Sequence, residues 1–183
     1  SLNNTTTQKG LIMSINIKEL INSRDVVNKW MERFGVRFGV YKHGVFNEQL
    51  FPFDSVPRTI SKKDWDYLEA GLKQRVTALN AFLWDVYHEK RIIRDGIIPE
   101  EFVYSSKGYM PEMEGVNPSG KVYAHIAGID LVEGKDGNWY VLEDNLRIPS
   151  GASYPMIARN VTRKVSPSTF QLNSVADNRN YAT

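Results

Sequence analysis

Two apolar runs, Gly128-Ile-Asp-Leu-Val132 and Tyr140-Val-Leu-Glu-Asp-Asn145, flank Asp136-Gly137, a dipeptide that accepts the positive φ of a tight hairpin turn. A strand pair folded about the 136/137 centre sets Asp130 opposite Glu143. Because side chains alternate with a period of two, Asn145 then shares the face of Glu143 and Asp144 points to the other. Two carboxylates facing each other across a ladder repel by about 1 kcal/mol or less when solvated, and by more when buried. A divalent cation removes that conflict. The donor set Asp130, Glu143 and Asn145 is all oxygen, which suits Mg²⁺, with Mn²⁺ as a substitute, and leaves positions for phosphate and water. Zinc is disfavoured, because the chain has no cysteine and parity puts His125 on the opposite strand face. Two other readings of these residues stay open: the exposed polar end of a hairpin, and a carboxylate pair for glycoside hydrolysis.

The segment that follows, Arg147-Ile-Pro-Ser-Gly-Ala-Ser153, leads into a weak helical pattern running to Lys164. Backbone N–H groups at a helix start favour anions. Arg147 is placed to stabilise charge on a transferring phosphoryl group, and Ser150 to donate to the same oxygens. The plainer alternative pairs Arg147 with Asp144 or Glu143 and uses Ser150 or Ser153 as a helix cap, with Ser153 the better cap.

Elsewhere the pattern predicts one amphipathic helix from Ile17 to Phe34 stopped by Gly35, then strands over 36–41 and 45–51, then a proline-punctuated loop to Arg58. Ser61-Lys-Lys-Asp64 reads as a capping box opening a long helix that ends near Glu89 and packs on a sheet. Residues 103–105 read as a short strand, 107–120 as a loop, and 121–132 as a strand buried on both faces. Residues 1–13 read as a flexible tail and 171–183 as a disordered one. The fold class is α/β (α+β), a mixed, largely antiparallel sheet with flanking helices.

Composition narrows the function classes. Lys plus Arg number 23 against 21 Asp plus Glu, which gives no electrostatic reason for a nucleic-acid or anionic-membrane partner. No apolar run approaches the ~18 residues that span a bilayer. The lack of cysteine excludes disulfides, iron–sulfur clusters and a thiol nucleophile, and is compatible with a cytoplasmic location.

Several phrases together resemble the circularly permuted ATP-grasp proteins, the bacterial group similar to glutathionylspermidine synthase. They are Phe51-Pro-Phe-Asp with Val56-Pro-Arg58, Leu68-Glu-Ala-Gly-Leu-Lys-Gln-Arg75 with Ala78-Leu-Asn-Ala-Phe-Leu83, Arg94-Asp-Gly-Ile-Ile-Pro99, His125-Ile-Ala-Gly-Ile-Asp-Leu-Val132, and Val141 through Tyr154. The resemblance implies a ligase that uses Mg·ATP to phosphorylate a carboxylate, which an amine then attacks to give an amide. Its substrates would be a small-molecule or peptide carboxylate and amine. It carries the metal role onto Asp130, Glu143 and Asn145, and makes Ser150, with Arg147 beside it, a contact to the transferring phosphate. Glu133 departs from the family pattern, which has a basic residue there, and Ile157-Ala158 replace acidic and amide residues. Family members run further, so residues 14–170 are expected to be the N-terminal portion of an ATP-grasp-like domain. Such a portion is expected to be inactive alone and to pair with the rest of the ATP-grasp chain or with itself. The competing expectation is a non-catalytic protein-interaction module derived from such an enzyme.

Overall fold

The computed structural model describes residues 6–8, 11–13 and 15–182. The expected tail over 1–13 therefore lies partly outside the described residues; within it, β1 (Thr6–Gln8) pairs antiparallel with β2 (Leu11–Met13). The described residues divide into two compact units, one drawn from 1–61 and 151–183, the other from 62–150.

In the first unit the expected single helix is two, α1 (Ile17–Asn22) and α2 (Arg24–Arg33). The break falls at Ser23, whose hydroxyl donates to the Leu20 carbonyl at 2.7 Å and so offers that acceptor a side-chain partner. Gly35 does end α2, as expected. With φ +61° it adopts the left-handed conformation, its N–H reaches Glu32 O and the Val36 N–H reaches Met31 O. This is a Schellman cap, and it delivers Val36 into the same apolar cluster as Met31. β3 (Arg37–Lys42) and β4 (Val45–Leu50) follow as read, joined by His43-Gly44, both at positive φ. Val27, Met31, Val36 and Val161 form the core, with Phe51, Ile157 and Tyr154 against it. Phe51 and Tyr154 stack at 4.5 Å. Val161 and Tyr154 belong to α6 (Ser153–Val165), which α7 (Pro167–Gln171) extends; its helical pattern was legible to within a residue.

The second unit is organised on α3 (Lys62–Tyr87). α4 (Arg91–Arg94) and α5 (Glu100–Tyr104) come next. α5 replaces the strand expected at 103–105: Pro99 precedes two glutamates in the first turn, and that start signal outweighs the β preference of Val103 and Tyr104. The long strand expected over 121–132 is also corrected. Within it only β5 (Gly128–Glu133) is a strand, it is half-exposed, and among the described residues it pairs with β6 (Trp139–Asn145) alone. The α/β class and the antiparallel pairing hold, with the pairing spread over three two-stranded ladders among the described residues.

Residues 122–127 form no regular element, and Asn80, 8% exposed on α3, takes up the hydrogen bonding of Tyr123 and Ala124 among them. Its Oδ1 accepts from the Tyr123 N–H at 2.8 Å and the Ala124 N–H at 2.9 Å. Its Nδ2 donates to Val76 O at 3.1 Å and Ala124 O at 3.4 Å. A buried N–H left without a partner costs about 1–3 kcal/mol. The variant Asn80→Leu, which orphans two, is expected to lower unfolding free energy by about 2–4 kcal/mol in urea titration, with faster amide exchange at Tyr123 and Ala124.

Candidate functional site: the acidic hairpin and the depression beside it

The ladder places Asp130 opposite Glu143, as the sequence predicts, but by a different route. The tip is a wider loop over 134–138, closed by Gly134 N–H to Asn138 O at 2.7 Å, and pairing starts with Glu133 opposite Trp139. That register alone would set Asp130 against Leu142. A bulge between Leu131 and Asp130 absorbs Leu142 as an extra residue and brings Glu143 into line.

Beyond the bulge the alternation resumes. Asp144 turns toward α3, where Arg75 grips it through two parallel bonds, Nε to Oδ1 at 2.8 Å and Nη2 to Oδ2 at 2.6 Å. This bidentate pair spans 69 residues, a separation that no local sequence signal reports. It also replaces the expected alternative in which Arg147 pairs with Asp144. Glu143 and Asn145 are exposed, as is Asp130. None of the three has a hydrogen bond or ion pair among the described residues. The chemistry of this donor set fits a hard cation: two carboxylates in register and an amide carbonyl, all without competing protein partners. Among the described residues no cluster of three His, Cys, Asp or Glu forms a closed cage, so such an ion would rely on further oxygens from water or phosphate.

After Asn145 the chain turns back along the start of β5. Pro149 lies so close to Gly128 that a Cβ there would meet the Pro149 Cβ at 2.9 Å, hence the glycine. Leu146, Arg147, Ile148 and Pro149 thereby face Tyr123, His125 and Ile126 across an open depression of about 360 Å³. His125 precedes the strand, so the parity argument that set it on the opposite face does not apply. Arg147 and Ser150 are both exposed and unbonded among the described residues. Ser153 is not the cap of α6; it is the first helical residue, preceded by Ala152 without a side-chain capping bond. His88 packs by stacking on Trp84 at 3.8 Å.

The described residues form a mixed α/β chain whose hairpin faces two carboxylates across its ladder. The family model of circularly permuted ATP-grasp type 2 matches residues 57–183. The chain belongs to that family, whose members use ATP and Mg²⁺. A Synechocystis protein of uncharacterized function is 46% identical over 75% of this chain and 28% of its own length. Two Frankia proteins bear the provisional name glutamate–cysteine ligase: that of Frankia casuarinae is 48% identical over 64% of this chain and 14% of its own, that of Frankia alni 45% over 73% and 15%. The chain thus spans little more than a quarter, or less, of these relatives' length.

Hydrogen bonds from Arg75 hold the Asp144 carboxyl below the usual carboxylate range. A folded-state pKa below the unfolded one means the pair stabilises fully above about pH 4 and loses its contribution as pH falls through the lowered value. Carboxyl ¹³C titration should show Asp144 depressed relative to model carboxylates, and returned toward them in Arg75→Gln.

Proposed function

We propose that this chain carries the metal- and phosphate-binding hairpin of an ATP-dependent carboxylate–amine ligase. The carrying observation is the register that sets Asp130 opposite Glu143 on an open face, with Asn145 beside them and Asp144 withdrawn to Arg75. Asp130, Glu143 and Asn145 would hold Mg²⁺, or Mn²⁺ in its place, which supplies neutralisation of phosphate charge when bound. Arg147 and Ser150, both unbonded among the described residues and both on the segment leaving β6, would contact the γ-phosphoryl oxygens as the group passes to a substrate carboxylate and ADP departs. Attack by an amine on the resulting acyl phosphate releases inorganic phosphate and leaves an amide. The names of the Frankia relatives support an amide-forming reaction between small molecules. Such a ligase works in the cytoplasm, where ATP is supplied, and no helix among the described residues is long and apolar enough to cross a membrane.

Turnover is proposed to need more than this chain. Val132, Tyr140 and Leu142, the last 70% exposed, are open apolar side chains on the same hairpin as the carboxylates. That exposure supports covering by further ATP-grasp chain, and it is also the observation favouring the second reading, a protein-interaction module without catalysis.

Paramagnetic broadening by Mn²⁺ tests the proposal. Binding is expected in the wild-type chain, strengthened by ATP and lost in both Asp130→Asn and Glu143→Gln. Binding that survives both substitutions would remove the hairpin from the metal site.

A further inference from the structure

Aromatic side chains from α3, α5 and the chain between α5 and β5 touch one another in an unbroken series. Tyr104 meets Tyr109 edge to face at 4.9 Å, Tyr109 stacks on Tyr87 at 5.5 Å, and Tyr87 stacks on Tyr123 at 5.6 Å. The Tyr123 hydroxyl lies 3.5 Å from His88 Nδ1, and the His88 ring stacks on Trp84 at 3.8 Å. One end reaches the depression beside the hairpin, which Tyr123 lines. At the other, the half-buried Tyr109 donates its hydroxyl to Glu114 Oε1, and Lys90 Nζ donates to both oxygens of Glu114 at 3.1 Å. A base thus sits directly on one phenol of the series. The other phenols lack one. The Tyr87 hydroxyl accepts from the Met110 N–H at 3.1 Å, and among the described residues no carboxylate accepts from it. The Tyr123 hydroxyl donates to Val116 O at 3.3 Å. His88 Nδ1 faces the Trp84 carbonyl at 3.0 Å, which only accepts, so Nδ1 already carries a proton.

We propose that this series is a one-electron relay, in which an oxidising equivalent arriving at Trp84 or Tyr123 passes through Tyr87 to Tyr109, where a phenoxyl radical forms as the proton moves to Glu114. The oxidant is of the peroxyl-radical class and is reduced to its anion by one electron, which Tyr109 finally supplies. The Tyr109 O–H bond breaks and a new O–H bond forms on Glu114, so oxidant radical, phenol and carboxylate become oxidant anion, phenoxyl and carboxylic acid. An external one-electron donor such as ascorbate then returns the electron, and Glu114 returns the proton. A phenol radical cation is a strong acid, so tyrosine is oxidised readily only where its proton can leave. Burial, and then the Glu114 carboxylate, push Tyr109 up to about 12, while hydrogen bonds from Tyr109 and Lys90 hold Glu114 below the usual carboxylate range. At neutral pH the phenol therefore holds its proton and the base is ionised. Charge also sets the direction. Lys121 lies over the Trp84 ring at 4.3 Å and Lys90 over the Tyr104 ring at 5.5 Å, so positive charge is opposed at both ends and settles on Tyr109 between them. The relay draws oxidation away from the wall of the depression, and it stands whether or not the ligase reading does.

The test is pulse radiolysis of the full chain with azidyl radical, which oxidises tryptophan, followed by nitroso spin trapping and peptide mapping. Tryptophanyl absorbance is expected to decay as tyrosyl absorbance rises, with the trapped adduct on Tyr109. Tyr87→Phe keeps the ring but is too hard to oxidise, and Glu114→Gln keeps an acceptor but no base. Both should lose the Tyr109 adduct and accumulate oxidised Trp84. Tyr67→Phe, at a 76% exposed position outside the series, should leave the adduct unchanged. Amide spectra check that each variant is folded. A Tyr109 adduct that survives Tyr87→Phe would mean oxidation straight from solvent and end the relay. Adducts spread over exposed tyrosines, or full Tyr109 yield in folded Glu114→Gln, would overturn it equally.

Discussion

The side-chain amide of Asn80 holds the second unit in its arrangement. A helix has spent its backbone hydrogen bonds internally and has none left for a neighbouring chain. Asn80 supplies an acceptor for two N–H groups and a donor for a carbonyl where the chain approaching β5 comes alongside α3. Five residues earlier on the same helix, Arg75 takes Asp144. The hairpin is therefore tied to α3 from both ends, before its first strand and near the end of its second. With Asp144 committed to the helix side, the two-residue period leaves Glu143 and Asn145 only the open side. The acid that appears redundant in the Glu-Asp-Asn run decides which way its neighbours face.

How much of this was legible follows from the range of each signal. Local signals survived: the Gly35 stop, the strands around His43-Gly44, the helix after Ser61 and the helix beginning at Ser153. Failures came where a distant partner or a competing local signal intervened. Residues 122–127 are apolar enough to be a buried strand, yet a single amide 43 or 44 residues away takes the N–H groups of Tyr123 and Ala124. Asn80 is a poor helix former within a long helical pattern, and its neighbours in sequence give no sign of the distant backbone that it bonds. Ser23 split one amphipathic run into two helices without disturbing the apolar spacing that suggested a single one.

At the candidate site, the facing of Asp130 and Glu143 could be read because strand parity is a counting rule, and the count came out the same through a wider tip and a bulge. Arg147 and Ser150 were found as chemically suitable residues, and the structure leaves both unbonded among the described residues. His125 was misplaced, since parity applies only within a strand and β5 begins three residues later. Its nearness to Arg147 depends on Pro149 closing over Gly128. That contact is recorded in the sequence only as a glycine and a proline 21 positions apart.

The bulge at Leu142 has a bearing on how such a hairpin tolerates change. In an unbroken ladder every residue gained or lost at the tip is transmitted down the strands, and a single step exchanges inside for outside. A bulge lets one strand carry an odd residue without rotating what lies beyond it. Here it separates the tip of the hairpin from the end that carries the carboxylates. The loss of one residue at a tip of the same width can be taken up by closing the bulge at 142, which keeps Asp130 opposite Glu143.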